Sequence, residues 1–483
     1  MWLTEFIGKA VSRLFPKKKL EERLGIQIAS SARMETAIGE WMRIYRNEAI
    51  WLGGDGDVRS MNLAAAIASE FSRLILTEFT FEMGGNVRAD FIGDQIKKYL
   101  LTHFNTKVEY WGAFGGIVLK PYVAGEDPVT GNPNRIPIDL IEPDRFFPTA
   151  YDDDGNVTGG IFLDIKVIGK HMYTRVEHHD QKGSVYTIKN IAYESGALTD
   201  IGAGFSTQNQ FAKEVPLSTV PDWEGIQEIT EITGVTSPIF VYVKVPLANT
   251  VDTDSPLGVS VFSRGIDDIR EADKQFTRLL WEFEAKEAAI DVDETMFKMD
   301  VNGNPILPKG KERTFRNWEL DGRAEKISDR IQAYSPEIRE ESHIKGLNRI
   351  LRNLEFNSAL AYGTLSDPEY IEKTAEEIKA SKQRSYDAVN LMQAEWDKGI
   401  DRLIEVMNML CDLYDIVPAG PCEKTCTWGD GILEDTDKEF QRRWAMVQAG
   451  KYKTEKFFEY YFGCSEEEAR ELIPDQSPIP GIE

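Results

Sequence analysis

Lys345, Arg349 and Arg352 stand at i, i+4 and i+7, the spacing that puts three side chains on one face of a helix. Such a row of cations can hold phosphate oxygens through salt-sensitive contacts that ignore base sequence. The competing reading is a solvated face, or salt bridges to Glu340, Glu341 and Glu355, and surface pairs of that kind contribute little. Taken alone, the stripe favours the second reading.

Other chemistry-bearing patterns fall short. Five histidines are few for catalysis or metal; His178-His179-Asp180 gathers ligand types, but neighbouring strand residues point to opposite faces, so a hairpin end is expected. Cys422 and Cys426 have no second pair at zinc-site spacing, which leaves buried or idle thiols. Asp152-Asp153-Asp154-Gly155 misses the calcium-loop position for glycine and reads as an acidic turn. Gly-Lys occurs four times, never before Ser or Thr, and Gly53-Gly54-Asp55-Gly56 lacks a third glycine; neither makes a phosphate loop. Gly258-Val259-Ser260 is half a nucleophile elbow, with Phe262 where the second glycine belongs, so capping by Ser255 or Ser260 explains it better. No catalytic residue, metal site or cofactor is expected, and enzyme is the poorer class. A metal-dependent DNA-processing enzyme is kept as the alternative from that class; it would need a clustered carboxylate site.

The elements that carry these residues are predominantly helical around a sheet. Ile344, Leu347, Leu351 and Leu354 predict a helix over 339–356 whose apolar side lies opposite the cations. Upstream, Phe262, Ile266, Ile269, Phe276, Leu280 and Phe283 predict a helix over 259–290, about 48 Å long at 1.5 Å per residue. Between them, 291–336 breaks into short strands and turns with Asn302-Gly303-Asn304-Pro305 as a hairpin tip. A loop over 358–370 carries Pro368. The helix that follows, 372–414, sets Val389, Trp396, Ile400, Leu403, Met407, Leu410 and Tyr414 in near-heptad register, with Gly399 as its expected bend. Residues 20–105 read as helical, and from Lys107 to about Val245 short Val-, Ile-, Tyr- and Phe-rich runs between turn signals predict an antiparallel sheet. Short helices from Asp435 to Gly450 and after Ser465 close the chain, with a disordered tail expected after Pro474.

The 483 residues carry 56 Lys and Arg against 80 Asp and Glu, a net charge of −24. That argues against a general nucleic-acid coat, though not against a local stripe or a channel that must avoid sticking to DNA. The length suggests two to four domains. Cys411, Cys422, Cys426 and Cys464 fit a reducing compartment. No uncharged run approaches the roughly 18 residues that span a bilayer. The first residues do not read as a signal peptide; Trp2, Phe6, Val11, Leu14 and Phe15 form an apolar face expected to pack on this subunit or its neighbour, with membrane-surface binding as the alternative. A soluble cytosolic assembly is the default expectation.

The run from Gly258 to Tyr414 resembles the portal proteins of long-tailed (siphovirus-like) double-stranded DNA bacteriophages. The matching stretches are 262–284, 333–368 and 372–386, the last two the most specific, with 89–104 and 111–123 similar as well. One departure is Lys373-Thr374-Ala375-Glu376-Glu377-Ile378, where the family usually has Thr at the fourth of these positions. The resemblance implies an α+β portal-type subunit with an α+β wing, a long α-helical stem, a small β-rich clip and a helical crown, assembled as a ring, usually of twelve. It implies an N-terminal arm and wing over 1–256, stem helices over 257–290 and 337–356, and a clip over 291–336. It also implies a tunnel loop over 357–371, a long wing helix over 372–414, and a crown with a flexible tail over 415–483. Lys345, Arg349 and Arg352 would face the DNA channel, and Tyr362, Gly363, Thr364, Leu365, Ser366 and Asp367 would form the tunnel loop, with Gly363 and the Ser-Asp-Pro turn letting it move. The implied role is the channel at one capsid vertex for genome packaging and ejection (head–tail connector), not an enzyme, with motor energy from a partner. Partners would be copies of itself, the passing DNA, terminase, head–tail adaptor, and major capsid and scaffolding proteins. The resemblance implies no membrane, and the place would be the virion, after assembly in the bacterial cytoplasm. Another head or head–tail structural protein is the nearest alternative; adaptors tend to be much shorter.

Overall fold

Helix signals dominate the first hundred residues, and in the computed structural model they give α1 (Lys17–Leu24), α2 (Ala32–Tyr45), α3 (Leu63–Leu76), α4 (Val87–Tyr99) and α5 (Phe104–Phe114). The structure describes residues 17–53, 57–128, 130–183, 185–195, 213–285, 289–293, 315–318, 331–334, 339–367, 375–429, 436–462 and 469–470. The expected apolar N-terminal face, the 302–305 hairpin tip, Pro368, Lys373, Cys464, the Ser465 cap and the C-terminal tail lie outside them. Two caps follow the sequence closely. Ser31 accepts the Met34 N–H at the start of α2, and Asn86 accepts the Arg88 and Ala89 N–H groups at the start of α4.

The helical region differs from expectation in two places. A short strand, β1 (Thr80–Met83), interrupts it, and α5 runs to Phe114, where the sequence led us to expect sheet from Lys107. Trp111 and Val108 bury one turn apart on α5, and Gly115 in the left-handed region (φ 89°) ends it. The chain then enters β2 (Gly116–Pro121), buried along its whole length, and β3 (Ile138–Ile141). An antiparallel sheet follows: β4 (Phe146–Tyr151), β5 (Val157–Ile168), β6 (His171–Lys182), β7 (Val185–Ser195), β8 (Lys213–Val215) and β9 (Ile229–Thr233), in the order β4-β5-β6-β7-β8 with β9 also on β7. β10 (Val241–Lys244) returns to flank β2 in a three-stranded sheet, β10-β2-β3.

His178 and His179 are not at a hairpin end. They lie in mid-strand on β6, paired with β5 on one side and β7 on the other, each 2% exposed. Both faces of the sheet are covered there. Val176, on the face of His178, packs with Leu20 and Ile28 from the α1 region. The other face holds a buried ionic cluster in which Glu177 meets Lys120 of β2 at 3.0 Å, Arg175 at 3.1 Å and His179 Nε2 at 2.7 Å. Tyr186 accepts the Ile239 N–H at 3.2 Å and lies 2.9 Å from His179 Nδ1, so its hydroxyl donates to Nδ1 and Nε2–H donates to Glu177. Burial alone would raise the Glu177 pKa; Lys120, His179 and Arg175 hold it well below the usual carboxylate range.

After β10 the chain forms α6 (Ile266–Ala285), β11 (Ala289–Asp293), β12 (Phe315–Trp318), β13 (Ile331–Tyr334), α7 (Glu340–Asn357), α8 (Ala375–Leu413), β14 (Lys424–Thr427), α9 (Thr436–Gln448) and α10 (Thr454–Phe462). α6 has 20 residues, about 30 Å, against the 32 expected. Leu257, Val259, Val261 and Phe262 are instead buried in non-helical chain, with the Val261 N–H on Gly112 O at 3.0 Å. β11 pairs parallel with β12 and antiparallel with β13.

α8 is the spine of the core. Val389, Trp396, Ile400, Leu403, Met407 and Leu410 are all at most 3% exposed, so the near-heptad face packs inside its own subunit. Gly399 marks a close approach: a Cβ there would lie 2.6 Å from Val243 Cγ2 on β10. At the C-terminal end of α8, Arg88 of α4 is 2% exposed and donates to Asn408 O and Oδ1, Asp412 Oδ1, Val417 O and Pro418 O at 2.6–3.1 Å, fastening the chain that leaves α8 to the helix itself. β14 pairs antiparallel with β1.

Among the described residues the fold is mixed α+β, 47% helical and 22% strand, without a closed barrel. It divides into two units, Met1–Gly429 and Asp430–Glu483, so residues 415–429, expected with the C-terminal part, belong to the first. The second unit holds α9 and α10, where Phe457 is buried among Phe440, Trp444 and Tyr461. α10 was not expected from the sequence.

Candidate nucleic-acid interface

α6 and α7 form an antiparallel hairpin whose polar pairs fix its register. Asn357 donates to Asp268 at 2.7 Å, Gln275 lies 3.1 Å from His343 Nδ1, and Arg339 donates to both oxygens of Glu282 at 3.1 and 3.0 Å. Gly265 sits against Leu354, where no Cβ fits. The hairpin is tied to the body by Asp273, 2% exposed, which accepts Trp51 Nε1 at 2.9 Å and the Met61 N–H at 2.8 Å. Burial raises the Asp273 pKa against those two bonds.

α7 divides its circumference three ways. Leu351 and Leu354 are buried toward the body. The cations read from the sequence lie away from them but differ among themselves. Lys345 is exposed and 2.6 Å from Glu341 Oε1, a contact that holds the Glu341 carboxyl below its ordinary range. Arg349 is exposed. Arg352 is half-buried, its Nε and NH2 enclosed without a hydrogen-bond partner. Phe356, 57% exposed, extends the row by one turn. It stands at i+11 from Lys345, the next step of the same helical row, so the sequence signal was present and unread.

The third face holds the loop after α7. Glu355, fully buried, accepts the N–H groups of Gly363 (3.1 Å), Leu365 (2.6 Å) and Ser366 (2.8 Å) on Oε1, and the Ser366 hydroxyl (3.0 Å) on Oε2. Two turns back on the same face, Asn348 accepts the Asp367 N–H at 2.9 Å. From the other side, Arg384 of α8 donates to Leu360 O at 3.0 Å and lies 4.8 Å from the Phe356 ring and 5.1 Å from the Tyr362 ring. Gly363 takes φ 88° to make the turn.

Of the six loop residues singled out in the sequence, Thr364 and Asp367 are exposed. Tyr362, Gly363 and Leu365 are half-buried and Ser366 is 3% exposed. The loop is therefore fastened at four of its residues, Gly363, Leu365, Ser366 and Asp367. Glu355, read from sequence as a salt-bridge partner for the cations, serves the loop instead. Asn348, Glu355 and Arg384 were missed because no pattern distinguishes them from other polar helix residues.

Among the described residues, no three His, Cys, Asp or Glu side chains converge as metal ligands would, and no helix is long and apolar enough to cross a membrane. Burial pushes the Cys411 thiol up to about 12 and Cys426 to about 11. No protein-family model matches the chain, and no curated protein matches it.

Proposed function

We propose that the chain is a portal subunit of a long-tailed double-stranded DNA phage: one copy in a ring that conducts the genome during packaging and ejection. The observation that carries this reading is the unit formed by the α6–α7 hairpin, the anchored loop and the 39-residue α8. The hairpin is tied to the body, bears exposed cations on one helix, and leads into a loop that presents Thr364 and Asp367. Trp281 (63% exposed), Phe283 (41%) and Phe356 (57%) stand open on the hairpin of a lone subunit. A neighbouring copy in a ring would cover such side chains. A net-negative wall lets duplex DNA slide, while Lys345 and Arg349 repeated round the ring steady it.

In this reading the partners are further copies of the chain, DNA, terminase, head–tail adaptor, and capsid and scaffolding proteins, in the virion after assembly in the host cytoplasm. The test is electron microscopy of the purified full chain at moderate salt. End-on rings with a central hole, closed by cyclic symmetry and about twelve-fold as the resemblance implies, are the expected result. A monodisperse monomer or closed dimer would refute the reading.

A further inference from the structure

We propose that Glu355 is the residue that positions the 358–367 loop, and that Arg352 is the second partner to which its carboxylate passes when the loop lifts. Three observations support this assignment. Glu355 collects three backbone N–H groups and one hydroxyl from the loop, all at 2.6–3.1 Å, and is fully buried doing so. Asn348 and Glu355, which both hold the loop, bracket Arg352 at i−4 and i+3 on one helical face. Arg352 keeps Nε and NH2 enclosed and unpartnered, an arrangement that buried donors rarely show without a reason.

The fastened loop thus leaves two nitrogens of a guanidinium unsatisfied one turn from a carboxylate that is already in use. When the loop lifts, Glu355 loses four donors, and Arg352, at i−3 on the same helix, is placed to replace them. An element with two mutually exclusive bonding arrangements is bistable in the sense a switch needs. Four bonds against one pair keep the fastened state dominant. The anchoring itself does not depend on the portal reading. What the lifted loop would touch does, and there it is the DNA in the channel.

Amide hydrogen exchange of the full chain decides the matter, because it needs neither rings nor DNA. In Glu355→Ala, exchange at Gly363, Leu365 and Ser366 should rise at least roughly tenfold while α6, α7 and α8 keep their protection. In Arg352→Met, exchange at the same amides should slow by roughly tenfold, since the fastened state sheds its unpaired nitrogens and the lifted state loses its partner. A merely structural Arg352 would instead speed exchange when removed. Equal rates within about twofold in Glu355→Ala, or faster exchange in Arg352→Met, would overturn the proposal. Should Glu355→Ala fail to fold, Ser366→Ala removes the single donor to Oε2; a several-fold rise is expected, and an unchanged rate refutes the assignment. Absence of rings by microscopy would end the portal reading without touching this result.

Discussion

His178 offers the sharpest quantitative test of the packing. Its ring is 2% exposed, and neither nitrogen has a hydrogen-bond partner. Burial, together with His179, Lys189 and Lys182 and against Asp180, pulls its pKa from 6.5 to about 4. The folded pKa is the depressed one, so the neutral ring is compatible with the fold above pH 6.5, and stability is lost as pH falls from there through 4. At about 1.36 kcal/mol per unit, the loss due to this residue is about 1.4 kcal/mol at pH 5.5 and about 3 kcal/mol at pH 4. His178→Leu removes both orphan nitrogens and the titration together. At pH 7 the variant should be more stable by about 1–2 kcal/mol, the unpaired-nitrogen cost less some misfit of shape. Its advantage should widen by about 3 kcal/mol at pH 4. Urea unfolding of the full chain, followed by far-ultraviolet circular dichroism at pH 7, 5.5 and 4, measures that difference directly. Glu177 and His179 titrate in both proteins and cancel in the comparison. A difference between the two proteins that stays flat with pH, or a variant less stable at pH 7, would refute the reasoning.

Two further outcomes are expected. Arg88→Met should cost about 3–5 kcal/mol in the same urea assay, because it strips three main-chain carbonyls and Asn408 Oδ1 of one shared buried donor; a loss under about 1 kcal/mol would mean that water replaces the arginine. Replacing Lys345 and Arg349 together by Gln should change stability by no more than about 0.5 kcal/mol, and the proposed portal function requires the salt slope of duplex binding to fall by at least about 2; an unfolded double variant would mark the two residues as structural.

What the sequence disclosed was what repeats locally. The leucines of α7 and the Val389-to-Leu410 row of α8 were legible because a helix buries one stripe, and a stripe has a period. The strands of the β4–β9 sheet announced themselves through turns and β-branched runs for the same reason. Three features had no such period. The β1–β14 pairing joins residues near 80 and 427, and four-residue strands carry too little pattern to be seen apart. Gly399 looked like a weak point in a helix, although its reason is Val243 on another element. The two histidines were placed at a turn because polar residues usually sit there; the structure buries one with Glu177 and Tyr186 and leaves the other unpaired. For the strand pair and the glycine the deciding partner is distant in sequence, for the histidines it is a buried cluster, and periodicity says nothing about partners.

The candidate site shows the same division inside one helix. α7 spends its leucines on the body, Asn348 and Glu355 on the loop, and Lys345, Arg349 and Phe356 on solvent. These are separate tasks that a single i, i+4, i+7 row conflated. Arg352 belongs to the row by spacing and to the loop by burial, so counting three equivalent cations overstates the outward charge by one. In a chain of net charge −24, outward cations on a hairpin pinned at Asp273 and Glu282 are held at a fixed place. Fixed charge acts on a passing polyanion by position, while a mobile one is averaged away. The loop extends the argument. Fastened through Glu355 to the helix that bears the cations, it keeps Thr364 and Asp367 in a set relation to Lys345 and Arg349, so anything that displaces the loop changes the geometry of the charged face in the same step.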